Sequence, residues 1–227
     1  MITEDAAEKI ARFNSIGLHY NLVSDAVYRV REQLSDPFDP RYQPYIIAAL
    51  ISFDMGRMMG STAVSRYDKG DGTFATALAT KLEALRPHVT HLCDVRLDEL
   101  SVPSEAQHIQ DAYAILAAGG EGSLNQRRGE FHVGATKILH FLNPRAFIIV
   151  DSNAQLAFQA THGIGRAYSS ERYIERMKCA KRDVLEFGLD EFAALEEGTP
   201  LTRIYDKLTF MTGAGLRERA AHGRRAV

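Results

Sequence analysis

The apolar residues of this chain recur at intervals of three and four, and no segment sustains the two-residue alternation of a half-buried strand. That periodicity restricts the chain to packed helices before any motif is considered. Glu4 to Ile16 reads as one helix and Ser24 to Leu34 as a second, with Val27, Val30 and Leu34 inward ahead of the turn-forming "SDPFDP". A long apolar helix is expected over Tyr42 to Met59, stopped at Gly60 and followed by the polar turn "RYDKGDG". Residues 73 to 87 form the next, closed by Pro87. "VPSEAQHIQDAYAILAA" opens at Ser101 or Ser104 with proline in its first turn and closes at Gly119 and Gly120. Further helices are expected over Asn153 to Gln159, Ser170 to Phe187 and Leu201 to Met211, the last bounded by Gly213. The expected fold is all-α, about nine or ten helices in two lobes, 1–118 and 119–227, that flank a cleft.

Composition narrows the class. A chain of 227 residues with 45% hydrophobic content can build one substantial core or two small lobes that share a cleft. No apolar run approaches the roughly 20 residues that span a bilayer. The start, "MITEDAAEKIARF", is acidic and amphipathic rather than signal-like, so a cytoplasmic protein without a membrane partner is expected. Cys93 and Cys179 are too few for a disulfide framework or a four-cysteine cluster. HExxH, CxxC and a phosphate-loop lysine followed by serine or threonine are all missing from the sequence, so no metal or cofactor is expected. The net charge of −2 argues against coating nucleic acid by bulk electrostatics. Charge is uneven, however: Arg127, Arg128, Lys137 and Arg145 face only Glu130 between Gln126 and Val150, and the tail "LRERAAHGRRAV" is basic again. This pattern is either a local phosphate-binding stripe or a solvated face.

Two residues stand apart from core building. Lys137 and Asp151 lie fourteen positions apart in "GATKILHFLNPRAFIIVDSNAQLAF", each where the chain changes direction. On a helical wheel Ile138, Leu139 and Leu142 form an apolar face, and Lys137 falls off it near His140 and Phe141. It is expected in the first turn of its helix, where the helix dipole favours a neutral amine. "NPRAFIIVDSN" turns at Asn143-Pro144, runs extended from Phe147 to Val150, and presents Asp151 as the N-cap of the next helix. The preceding "GGEGSLNQRRGEFHVGATK" carries five glycines in nineteen residues and reads as a structured loop. His140 reads as a packed or hydrogen-bonded histidine.

The order of these parts, a basic glycine-containing hairpin, a helix with an early lysine, a short apolar excursion and an aspartate opening another helix, resembles the helix-hairpin-helix DNA glycosylases. "HVGATKIL" stands where that family has a "GVGRKTA"-like hairpin, and "IVDSNAQLAF" where it has "VDTH". The resemblance is closest over Phe131 to Phe158, with a shorter lysine-to-aspartate spacing and no cysteine cluster, and so points to an iron–sulfur-free branch like 8-oxoguanine DNA glycosylase. It implies a monomeric enzyme that flips a damaged or modified base out of double-stranded DNA and breaks its glycosidic bond, in base-excision repair or in defence against phage genomes with modified bases. Asp151 would stabilise the cationic sugar or orient water, and Lys137 would act as nucleophile or phosphate anchor. Arg127, Arg128, His132, Gly134 and Thr136 would grip DNA. For the base pocket the first half offers Tyr42, Tyr45, Asp54 and Arg57, and more weakly the last helix offers Phe210 and Met211. A non-catalytic DNA-binding or structure-sensing module, and an all-α interaction domain, are the alternative expectations.

Overall fold

The computed structural model describes residues 1–55, 73–125 and 129–223. The described residues are all helical in their regular structure, with ten α-helices and no strand. In chain order these are α1 (Ala6–Ile16), α2 (Leu18–Gln33), α3 (Gln43–Leu50), α4 (Thr73–Val89), α5 (Val102–Ala117), α6 (His132–Leu142), α7 (Ser152–His162), α8 (Ser170–Phe187), α9 (Leu189–Ala193) and α10 (Leu201–Gly223). A π-helical turn, Ile51–Met55, continues α3, and a 3₁₀ turn, Thr90–Leu92, follows α4. Among the described residues no helix is long and apolar enough to cross a membrane. The buried apolar side chains form one contiguous cluster from Ile2 to Leu208, to which every α-helix contributes, α9 through Phe192 alone.

Local chemistry sets the ends. Ser169 caps α8 by accepting from the Arg172 amide at 3.2 Å, and Gly188 ends it at φ 98°, a conformation open to glycine. Asp151 caps α7, and Gly163 closes it in the left-handed region with its N–H on Gln159 and Phe158 carbonyls. Helix α2 begins at Leu18, earlier than its apolar pattern indicates, because Leu18 and Leu22 face solvent and leave no inward signal. Pro87 does not end α4: the helix runs two residues on, and Leu85 and Val89 on either side of the proline are fully buried. A proline in a last turn forgoes one backbone bond, which this burial offsets.

Two helices position the polar groups of the interior. α6 is buried from Gly134 to Leu142, a core helix rather than a surface one. α10 packs extensively along α7 and also meets α1. It passes straight through Gly213, where the sequence pattern indicates a stop. A Cβ at Gly213 would lie 2.1 Å from the Asn153 carbonyl oxygen, so the missing side chain lets α10 cross the opening turn of α7 in backbone contact.

Candidate active site

The fourteen-residue interval between Lys137 and Asp151 has a structural origin one residue earlier. Thr136, buried in α6, donates its hydroxyl to the Val133 carbonyl at 2.9 Å and accepts from the Val150 amide at 3.1 Å. This bond ties the residue before Asp151 to the residue before Lys137. The extended excursion of residues 147–150 has no neighbouring strand among the described residues, and side chains take up its backbone groups. His140 donates from Nδ1 to the Phe147 carbonyl at 2.7 Å, and Tyr173 donates to the Ile148 carbonyl at 3.0 Å. At the end of the excursion Asp151 Oδ1 accepts from the Asn153 and Ala154 amides, each at 2.8 Å. Oδ2 takes no hydrogen bond from the described residues.

Both residues open onto one cavity of about 220 Å³. Its aromatic walls are Phe13 of α1, Tyr20 of α2, Phe53 of the π turn and Phe210 of α10. They brace one another: Phe13 meets Phe210 edge-on at 5.5 Å, and Tyr20 lies 5.0 Å from Phe53. A π turn shifts the backbone bonding by one residue, and such turns recur at functional sites. Here the Phe53 carbonyl accepts from Lys137 Nζ at 2.9 Å, and the ammonium also stands 5.0 Å from the Phe53 ring centre.

The polar floor comes from α10. Arg203, Asp206, Phe210 and Gly213 follow one another at spacings of three and four, so the stripe that carries the close contact with α7 also carries the cavity groups. Arg203 is buried between the rings of Phe13 and Phe53, at 5.1 and 5.5 Å, and bonds to Asp206 and, at 3.3 Å, to Asn21. Burial pushes the Asp206 carboxyl up to about 6; the Arg203 guanidinium and Lys137 pull it back, while the Asp151 charge pushes it further up. Two carboxylates and two cations thus meet at one aromatic-walled space. One of the acids exchanges its proton near pH 6 rather than in the ordinary carboxylate range.

Several expected site residues occupy other places. Lys137 is the sixth residue of α6, in its second turn, because the helix already begins at His132; it is 6% exposed and reaches the cavity rather than open solvent. Gly134 serves packing: a Cβ there would fall 1.9 Å from the Phe131 ring, which lies back over the first turn. His132 is stacked between Tyr113 and Tyr168, at 5.8 and 5.2 Å, and bonded to Glu130 at 2.7 Å. Thr136 is buried and committed to Val150, so it positions the aspartate instead of touching a phosphate. Tyr42 is fully buried and donates to the Phe141 carbonyl at 2.8 Å, and Tyr45 is exposed; neither lines the cavity. Of the last-helix residues Phe210 lines the cavity and Met211 does not. Arg127, Arg128, Arg57 and the side chain of Asp54 lie outside the described residues. His140 is a structural histidine: burial drives its pKa down to about 3, so the neutral ring accepts from Tyr28 at Nε2 over 2.5 Å.

Sequence reasoning missed Phe13, Tyr20, Phe53, Arg203 and Asp206. The available signal was "TRIYDKLTF", an otherwise core-like stretch with charges at 203, 206 and 207. Three charges on a helix that also carries Ile204, Tyr205 and Leu208 inward mark either a solvated stripe or a buried network, and here they are buried. Lys207 completes that network away from the cavity by pairing with Glu196. No protein-family model matches this chain, and neither the curated proteins nor the solved structures yield a match.

Proposed function

We propose that this chain is a DNA glycosylase that takes a flipped base into the cavity and hydrolyses its bond to C1′, leaving an abasic site. One observation carries the reading: Asp151 and Lys137, set apart in sequence by a motif resembling that of helix-hairpin-helix glycosylases, line a single aromatic-walled cavity together with a carboxyl, Asp206, whose pKa burial raises to about 6. At about 220 Å³ the cavity is smaller than the roughly 300–1,000 Å³ of drug-sized pockets, which suits one planar base with the sugar at the mouth.

In this mechanism the base stacks against Phe13, Tyr20, Phe53 or Phe210 after leaving the helix. The C1′–N bond breaks with its electron pair going to the base, and Asp206 gives the base its proton. Asp151 Oδ2 faces the positive charge that develops at C1′ and takes a proton from the attacking water, whose oxygen completes the sugar. Solvent then moves the proton from Asp151 back to Asp206. Lys137, held by the Phe53 carbonyl and ring, acts as a fixed cation for the sugar-phosphate rather than as the nucleophile. The test is incubation of the purified chain with duplexes bearing damaged or hypermodified bases, read by mass spectrometry for free base and by alkali for abasic sites. Release from at least one duplex is expected; no release from any of them, with DNA still bound, would leave only a binding module.

A further inference from the structure

A second constellation sits on the surface where α4 ends and α5 passes, and none of its residues lines the cavity. The end of α4 and its 3₁₀ turn carry His88 and His91, three residues apart. Helix α5 carries Glu105, His108 and Asp111 at the same interval. The ligand atoms of His91, Glu105 and His108 all lie within 4.8 Å of one another. His91 Nε2 and Glu105 Oε2 are 2.8 Å apart, an ion pair or hydrogen bond in its own right. That pair leaves His108 unexplained. Its ring stands 4.9 Å from the ring of His91, and it forms no hydrogen bond among the described residues. A cation between the two imidazoles and the carboxylate would use all three lone pairs. His88, 3.6 Å from Asp111 and with its ring 6.1 Å from that of His108, adds a further nitrogen and a carboxylate beside the cluster.

We infer that His91, Glu105 and His108 bind a divalent transition cation of the zinc type. Two imidazole nitrogens and one carboxylate form a donor set suited to zinc, nickel or copper rather than to magnesium or calcium, which take oxygen ligands. Three protein ligands leave a position for water. The ion would fasten the end of α4 to α5, two helices already packed together. No linear motif records such a site, because its ligands come from two elements. The expectation of no metal rested on linear motifs alone.

The experiment is calorimetric titration of zinc into the metal-stripped chain, free of any histidine tag, with magnesium as the control ion. One equivalent of zinc at micromolar affinity or tighter is expected, with no magnesium uptake and a higher melting temperature in zinc. His108→Ala, an exposed position that breaks no bond in the fold, should weaken zinc by more than about tenfold, and Glu105→Gln should do likewise. Absence of zinc uptake by the wild-type chain, or equal affinity in His108→Ala with unchanged helix content, would overturn the site.

Discussion

Asp206 titrates in a range that can be tested without a substrate. Its folded pKa of about 6 exceeds the ordinary 3.8 because burial penalises the anion. Its contribution to stability is therefore complete below about 3.8 and lost as pH rises through about 6. Asp206→Asn removes this dependence. Whatever constant cost arises from unpairing Arg203, the stability difference should shift in the variant's favour by about 2–3 kcal/mol between pH of about 4 and 7, read by urea unfolding. His140, held neutral, loses stability in the opposite direction as pH falls from 6.5 toward about 3, but it is common to both proteins. If Asp206 is also the acid, kcat/KM should fall above about pH 6 in the wild type and lose that limb in the variant. Lys137 is tested by borohydride: no trapped adduct through it is expected, and Lys137→Gln should keep substantial excision while weakening DNA binding. An efficient trap that vanishes in Lys137→Gln would make it the nucleophile.

At the scale of elements, the placement of the acid depends on how closely α10 crosses α7. Gly213→Ala puts a Cβ 2.1 Å from backbone oxygen, which cannot be relieved by a rotamer change. The helices must separate, and the expected cost is about 1–3 kcal/mol, with loss of activity as Asp206 draws away from Asp151. Gly215→Ala, two residues on, meets no described atom within 4 Å and should raise stability by about 0.5–1 kcal/mol through helix propensity. Thermal unfolding of the two variants separates close approach from propensity, since equal effects would deny the close crossing. The same glycine shows where sequence reading stopped. A glycine in a helical pattern signals a stop unless a neighbouring backbone needs the space, and that neighbour lies sixty positions away. Ser170 to Phe187 was legible end to end because its cap and closing glycine are local. The start of α6 was not, since it depends on Phe131 folding over Gly134. Asp151 was readable as a cap, whereas the burial of Arg203 and Asp206 depends on α1, α2 and the π turn closing over them.

For the molecule as a whole, a net charge of −2 means that the proposed DNA binding must draw on local contacts rather than on a general field. Arg127 and Arg128, in the glycine-rich segment that leads into α6, are the proposed phosphate-binding groups. Replacing both by Ala should weaken binding equally across sequences and flatten the logarithmic salt dependence by about 1 for each phosphate no longer neutralised. An unchanged slope in fluorescence anisotropy would place the DNA backbone against other residues. The helical class itself was set by periodicity over the whole chain, a signal that local exceptions such as Pro87 and Gly213 did not disturb.

The glycosylase assignment rests above all on Asp151, and single-turnover base release by Asp151→Asn tests it most directly. Asn keeps the side chain's shape and an oxygen for the α7 amides while removing the charge proposed to face C1′. On any duplex the wild type processes, release should fall by at least about 10²–10³-fold, with binding changed only a few-fold and the fold intact. Release at the wild-type rate from Asp151→Asn would contradict the assignment.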